Sequence, residues 1–285
     1  MEKIPVRHIK SSSEKTDFAQ NFSIRNIQDL LSGKDLIQDL HRHDFFHILV
    51  LQKGSGFHSI DFKNYDIKDA VVFFVRPGQA HQLQLHAESS GYMIRLSADI
   101  YSSDDKTLSS FLRKAGIQNY YSPDENKFRK ILSVLDSAFQ EYNDKQENYT
   151  EVIKANLGVF FIEIIREQNK NPTDKTNLYT QERLDEFQAL LEKHLFTHKQ
   201  TADYAEMLHL TSYQLNAVTK TLLNKTASEL ITEAVILESK RYLLATANQV
   251  SQIAGYMGYD DVSYFIRFFK KHTGFSPEIF RQNFK

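Results

Sequence analysis

The sequence contains no cysteine and no tryptophan, and only 5 prolines and 10 glycines among its 285 residues. Without cysteine there is neither a disulfide framework nor a thiolate metal site, and nothing marks an oxidising compartment. No stretch approaches the roughly 20 apolar residues that a membrane-spanning helix needs. The opening residues, MEKIPVRHIKSSSEK, lack the apolar core of a signal peptide, so a cytoplasmic location is expected. A net charge of −1 does not advertise a polyanionic partner for the chain as a whole. What is present is a globular composition, 41% hydrophobic and 25% charged, with length enough for two cores.

The texture changes along the chain. Residues 1–35 read as a polar arm with scattered apolar positions and a short helix over Ile27–Leu31 that ends at Gly33. Between Leu36 and Leu96, HDFFHILVLQ, GFHSIDF, AVVFFV, HQLQLH and GYMIRL are short β-branched or aromatic runs separated by turn residues. They predict a small antiparallel sandwich or barrel. After Pro123, the spacing of Phe128, Ile131, Leu132, Leu135 and Phe139 predicts an amphipathic helix over Asp124–Tyr142. A second helix, Tyr149–Gln168, is apolar around most of its circumference and must bury two sides, in an ordinary core or against a second subunit. The polar run NKNPTDKTN after it reads as a linker. The expected division is therefore residues 1–168, a linker at 169–178, and residues 179–285.

The last part is organised around VSQIAGYMGYDDVSYFIRFFKKHTGFSPEIFR, Val250 to Arg281. Ser251 is a candidate cap for a helix over Gln252–Met257, and Gly258 gives a break that tolerates positive φ. Asp260 or Asp261 then caps a helix whose Val262, Phe265, Ile266 and Phe269 form an inward stripe. Ser263, Tyr264, Arg267, Lys270 and Lys271 are left outside. Gly274 suits a C′ position and Ser276-Pro277 opens another helix. Upstream, TADYAEMLHLTSYQLNAVTKTLLNKT repeats this plan at an offset of 49 to 50 residues, pairing Ala205 with Ala254, Lys220 with Lys270 and Asn224 with Gly274. Thr211 with Gln214, and Thr226 with Glu229, read as capping boxes, the second opening a helix from Ala227 to about Leu244. Two helix-turn-helix units on one chain is the plan for entering successive major-groove segments of DNA. From Lys240 to Lys285 seven cationic residues face three acidic ones, which fits either a solvated face or a phosphate-binding one.

The string GYxxxSYFxRFFKKxxGxSPxxFR closely resembles the C-terminal signature of AraC-type (AraC/XylS) transcription regulators. LHRHDFFHILVLQKGSG, followed by IDFKNYDIKDAVVFFVRPGQAHQL, resembles the cupin-type sensor half of the same family. The resemblance implies an α+β two-domain fold: an N-terminal cupin-like β-barrel followed by helices, then an all-α domain with two helix-turn-helix units. The first domain would sense a ligand and dimerise, and the second would bind DNA. Base-reading positions would fall at Ser212, Tyr213, Asn216 and Ala217 in the first unit, with Lys220 beside them. In the second they would fall at Val262, Ser263, Tyr264 and Ile266, with Arg267 and Lys270 nearer phosphates. Asn216 suits a bidentate contact to adenine.

Against the general cupin motif, His41 and His43 take the HxH pair, His47 stands where glutamate is usual, and His81 takes the second motif's histidine. Converging imidazoles suit a first-row metal. In this family, however, the sensor half usually lacks one, so the expectation is an organic effector, with no metal, no cofactor and no catalytic residue. Arg76 is a candidate contact for an anionic ligand. The implied partners are promoter duplex DNA, a small-molecule effector, RNA polymerase and a second copy of the chain, with no membrane. The competing reading is a metal-dependent cupin enzyme fused to a DNA-binding module.

Overall fold

The computed structural model describes residues 4, 6–7, 21–97, 106–168 and 178–284. Most of the expected linker and of the arm before residue 21 lie outside these. The chain forms two compact units, Pro5–Asn171 and Pro172–Lys285, the latter joined by Met1–Ile4.

Ten strands build the first unit: β1 (Val6–Arg7), β2 (Phe22–Asn26), β3 (Leu36–His43), β4 (Phe45–Lys53), β5 (Gly56–Ile60), β6 (Lys63–Ile67), β7 (Val71–Val75), β8 (Ala80–Leu85), β9 (Ser90–Ser97) and β10 (Tyr120–Tyr121). They form two five-stranded sheets, ordered β1-β3-β8-β5-β6 and β10-β7-β4-β9-β2. The expected cupin-like barrel thus takes the form of two separate sheets, not one closed ladder. The end of the expected arm is not an arm. Its Phe22–Asn26 segment is edge strand β2, paired antiparallel with β9, and α1 (Ile27–Leu31) follows under an Asn26 cap.

The second sheet is buried on both faces, which is why β4 reads as an unbroken hydrophobic run. Phe46, Ile48 and Val50 pack with the helices α2 (Lys106–Ala115), α3 (Glu125–Asp144) and α4 (Tyr149–Gln168). Leu49 and Leu51 point the other way, into a core shared with Val71, Phe73, Leu83 and Leu85. Helix α4 lies in the first of these cores and packs against α3 and α2. Its broad apolar surface is thereby used within the chain. Phe161 is fully buried, and the large apolar residues left exposed on α4 are Val152 and Val159.

The second unit is helical: α5 (Leu178–His194), α6 (Thr201–Met207), α7 (Ser212–Leu223), α8 (Ala227–Ala245), α9 (Val250–Tyr256), α10 (Val262–Thr273) and α11 (Pro277–Phe284). The internal repeat is a structural one. Helices α6 and α9 start 49 residues apart and α7 and α10 start 50 apart, so the extra residue falls in the turn between the second pair. Asn224 and Gly274 end the second helices in the left-handed region, and His209 and Gly258 hold positive φ at matching places in the turns. Thr211 and Thr226 cap α7 and α8 as capping boxes, and Asp261 caps α10. The cap of α9 differs from expectation. Gln249 stands there, not Ser251, because the Gln252 side chain accepts the Gln249 N–H at 2.9 Å and fixes the first turn two residues earlier.

Two glycines in the second unit separate conformational cost from steric cost. A Cβ at Gly258 would lie 2.2 Å from the Phe196 carbonyl oxygen, whereas nothing lies within 4 Å of one at Gly274. Gly274→Ala is expected to cost about 1–2 kcal/mol through left-handed backbone strain alone. Gly258→Ala should cost clearly more, because the Phe196 backbone must also move. Denaturant midpoints of the two variants check this.

Candidate functional site

Among the described residues, five histidines meet between the two sheets. Strand β3 carries His41 and His43, β4 carries His47, β5 carries His58 and β8 carries His81, and none is more than 3% exposed. Strand β3 delivers its pair through a β-bulge. Gln38 and His41 pair with Leu83 and His81, so β3 uses one more residue than β8 over this interval. Before the bulge Gln38 is buried and Ile37 is 68% exposed; after it the odd-numbered His41 and His43 turn inward. In β4 plain alternation puts His47 on the inner column with Phe45, Leu49 and Leu51, and in β5 His58 shares a face with Ile60.

The rings touch. His43 Nε2 lies 3.2 Å from His41 Nε2 and 2.9 Å from His81 Nε2, while His81 Nδ1 lies 3.0 Å from His58 Nε2. His41 Nδ1 is 2.6 Å from the Asp39 carbonyl oxygen. A carbonyl only accepts, so Nδ1 carries the proton and a neutral His41 turns its Nε2 lone pair towards His43. The His47 ring stacks on His43 at 5.1 Å, and both its nitrogens are buried with no partner among the described residues. Burial is the first cause that pushes all five imidazoles below their usual pKa. His43 and His58 fall to about 3, His47 and His81 fall well below 6.5, and His41 is lowered despite its bond to Asp39. The rings are neutral at physiological pH.

Both signs of charge act on this cluster, and Asp39 raises His41 while the cations oppose it. Arg95 and Arg7 depress His41 and His43 further, and Arg95 also depresses His47. Arg76, the expected anion contact, lies in the turn before β8. Its backbone N–H donates to Gln79 Oε1 at 2.8 Å in the β7–β8 turn, where Gln79 Nε2 donates to Asp61 Oδ2 at 2.7 Å. It serves the turn that leads into His81. The sequence reading missed His58 and Arg95. Alternation within GFHSIDF carried the signal for His58, whereas an arginine within GYMIRL looks like a rim residue.

In the helical unit the outer faces of α7 and α10 are polar. Tyr213, Ala217 and Lys220 are exposed on α7, with Ser212 half-buried; Ser263, Tyr264, Arg267 and Lys270 are exposed on α10. Val262 and Ile266 are half-buried and pack against the helical core, so they support α10 more than they project from it. Asn216 also departs from expectation. Its Oδ1 accepts the Ala227 N–H at 2.9 Å, tying α7 to the start of α8, so the two-atom edge needed for adenine is not free. Of the basic residues in this half, Arg281 is internal, donating to the Leu243 and Asn248 carbonyls. Arg267, Lys270 and Lys271 line the exposed side of α10.

Residues 204–283 match the helix-turn-helix domain family, and residues 35–148 match the AraC-like ligand binding domain family. This is an AraC-type transcription regulator. Among curated relatives of the AraC-type chain, the HTH-type transcriptional activator RhaS of Escherichia fergusonii is 22% identical over 254 residues, covering 85% of this chain and 87% of that protein. RhaR of Yersinia pestis is 21% identical over 257 residues, covering 86% and 84%. Among solved structures, unsaturated fatty acid-bound ToxT from Vibrio cholerae is 17% identical with a TM-score of 0.41, covering 92% of this chain and 95% of that one. An AraC-type regulator from Chromobacterium violaceum is 23% identical with a TM-score of 0.34, covering 37% and 95%.

The bond from Asn216 makes a distinguishing prediction. Asn216→Ala leaves the buried Ala227 N–H without a partner, which should cost about 1–3 kcal/mol of stability. DNA affinity should then fall by the same factor on every sequence variant. Chemical denaturation together with a single-base substitution series of the binding site measures both, and loss confined to one base pair would restore the adenine contact.

Proposed function

We propose that this regulator grips promoter DNA through the exposed faces of α7 and α10 and activates transcription in response to an effector in the sandwich. The observation that carries the reading is the repeated pair of capped helices, each with a polar outer face. Tyr213, Ala217 and Lys220 on α7, and Ser263, Tyr264, Arg267 and Lys270 on α10, are the residues assigned to DNA. Arg267 and Lys270 bind phosphate; the tyrosines and Ser263 meet base edges. Helix α8 joins the two units, so both enter the groove as one body, in turns roughly 34 Å apart.

The reading takes RNA polymerase as a partner, the cytoplasm as the location and no enzymatic activity, in keeping with relatives named transcriptional activators. It also takes a homodimer formed through Val152 and Val159, the large apolar residues that α4 leaves exposed. Effector binding acts by shifting the population of arrangements in which the DNA-binding units are presented.

The full-length protein tests the DNA contacts directly. Arg267→Ala and Lys270→Ala should each weaken binding equally at all sequences and lower the slope of log K against log salt by about 1, as one phosphate contact is lost. Affinity without salt dependence would overturn the assignment. The dimer has its own test in sedimentation. Val152→Asp with Val159→Asp should give folded monomers, because a carboxylate cannot be desolvated in an apolar interface. Phe161→Lys should unfold the domain instead, since that side chain is buried inside one chain.

A further inference from the structure

The imidazole cluster has more structure than an organic pocket requires. Three of its nitrogens, one each from His41, His43 and His81, lie within 4.8 Å of one another, in buried positions on two strands of one sheet. Two of the separations, 3.2 and 2.9 Å, are close to the ~3.3 Å between neighbouring ligands that Zn–N bonds of 2.0–2.1 Å give in a tetrahedron.

The outer contacts of two of the three match as well, while His43 Nδ1 is buried without a partner among the described residues. A metal-bound histidine hands its other ring proton to an acceptor, which fixes the tautomer and the ring plane. His41 Nδ1 has the Asp39 carbonyl in that role, and His81 Nδ1 has His58 Nε2. His47 supplies an independent observation, since its ring is 1% exposed with neither nitrogen partnered among the described residues. It stacks on His43, and its ring lies 5.5 Å from that of His81, so it adjoins two of the three rings. Burying an imidazole with no hydrogen bond is costly unless something in the site accepts its lone pair.

We infer that the interior of the sandwich binds one first-row transition-metal ion through the Nε2 atoms of His41, His43 and His81, with His47 as fourth ligand and His58 as the positioning residue for His81. This runs against the expectation of an organic ligand alone, which rested on the missing glutamate; His47 replaces that oxygen donor with a nitrogen one. The donor set is neutral and contains no oxygen, and the charges acting on it are Arg95 and Arg7 with Asp39 beside His41. Such a site holds ions that bond well to imidazole, namely zinc, copper or nickel, and excludes magnesium and calcium. The site stands apart from the DNA-binding reading, because metal uptake is measured without DNA.

The test uses full-length protein stripped with a chelator and titrated with Zn²⁺ against a chromophoric competitor. Cobalt loading followed by visible absorption serves as a second readout. One equivalent per chain is expected, with tetrahedral cobalt bands. His43→Gln and His81→Gln should abolish stoichiometric uptake. His58→Leu removes no ligand and should weaken zinc binding by about 10- to 100-fold, the usual effect of losing an outer-shell partner. Its circular dichroism and DNA affinity should stay unchanged, which keeps the test valid if the ligand variants do not fold. The half-buried pair His194 and His198, whose rings lie 5.5 Å apart in the helical unit, is the control. Uptake that is substoichiometric, insensitive to His58→Leu, or lost in His194→Ala/His198→Ala but kept in His43→Gln overturns the assignment.

Discussion

Burial of the β10-β7-β4-β9-β2 sheet on both faces is the constraint from which the sensor half follows. One face must be covered, and α2, α3 and α4 cover it, with α4 apolar around most of its circumference because it packs against both other helices and the sheet. The other face must meet the second sheet. Polar residues on it lose water, and only groups that are neutral when buried are tolerated in number. Imidazole meets that condition at the cost of a depressed pKa, as all five buried rings do. Functional chemistry and core packing therefore occupy the same column of β4, with His47 one step from Leu49.

The helical unit follows a different logic, in which local bonds fix local shape. Caps at Thr211, Thr226 and Asp261 set where each helix begins, and left-handed residues at Asn224 and Gly274 set where the second helices end. Polar side chains aimed at backbone add to the apolar core that joins these helices. Asn216 reaches Ala227, and Arg281 reaches Leu243 and Asn248. Such bonds orient neighbouring helices without enlarging the core, which suits a small domain whose outer faces are polar.

Elements with a strong period or a clear cap were legible in the sequence. The helix at Tyr149–Gln168 has its expected ends, and the first turn of α3 follows Pro123 and an Asp124 cap. His41, His43, His47 and His81 were found because their spacing resembles a known motif. What escaped were relationships between residues distant in sequence. Periodicity showed that the helix over Tyr149–Gln168 is apolar on two sides but not what covers each, so Phe161, fully buried within one chain, could be taken for an outward residue, and an exposed-looking Asn216 gave no hint that Ala227 would occupy its oxygen. His58 was overlooked because its partner, His81, is 23 residues away and lies across a strand pairing. The cap at Gln249 was missed because glutamine is a weak cap by type and acts here only through Gln252.

The bulge in β3 frees the imidazole cluster from an exact chain length. Across it Gln38 stays opposite Leu83 and His41 opposite His81, although three steps along β3 match two along β8. Removing Asp39 or Leu40 would leave His41 two residues from Gln38, and plain alternation would still turn both rings inward. Among descendants of this gene, then, the cluster can outlast a single-codon deletion that shifts the number of every later histidine. A comparison of related chains should align this strand by its gaps before it counts histidines.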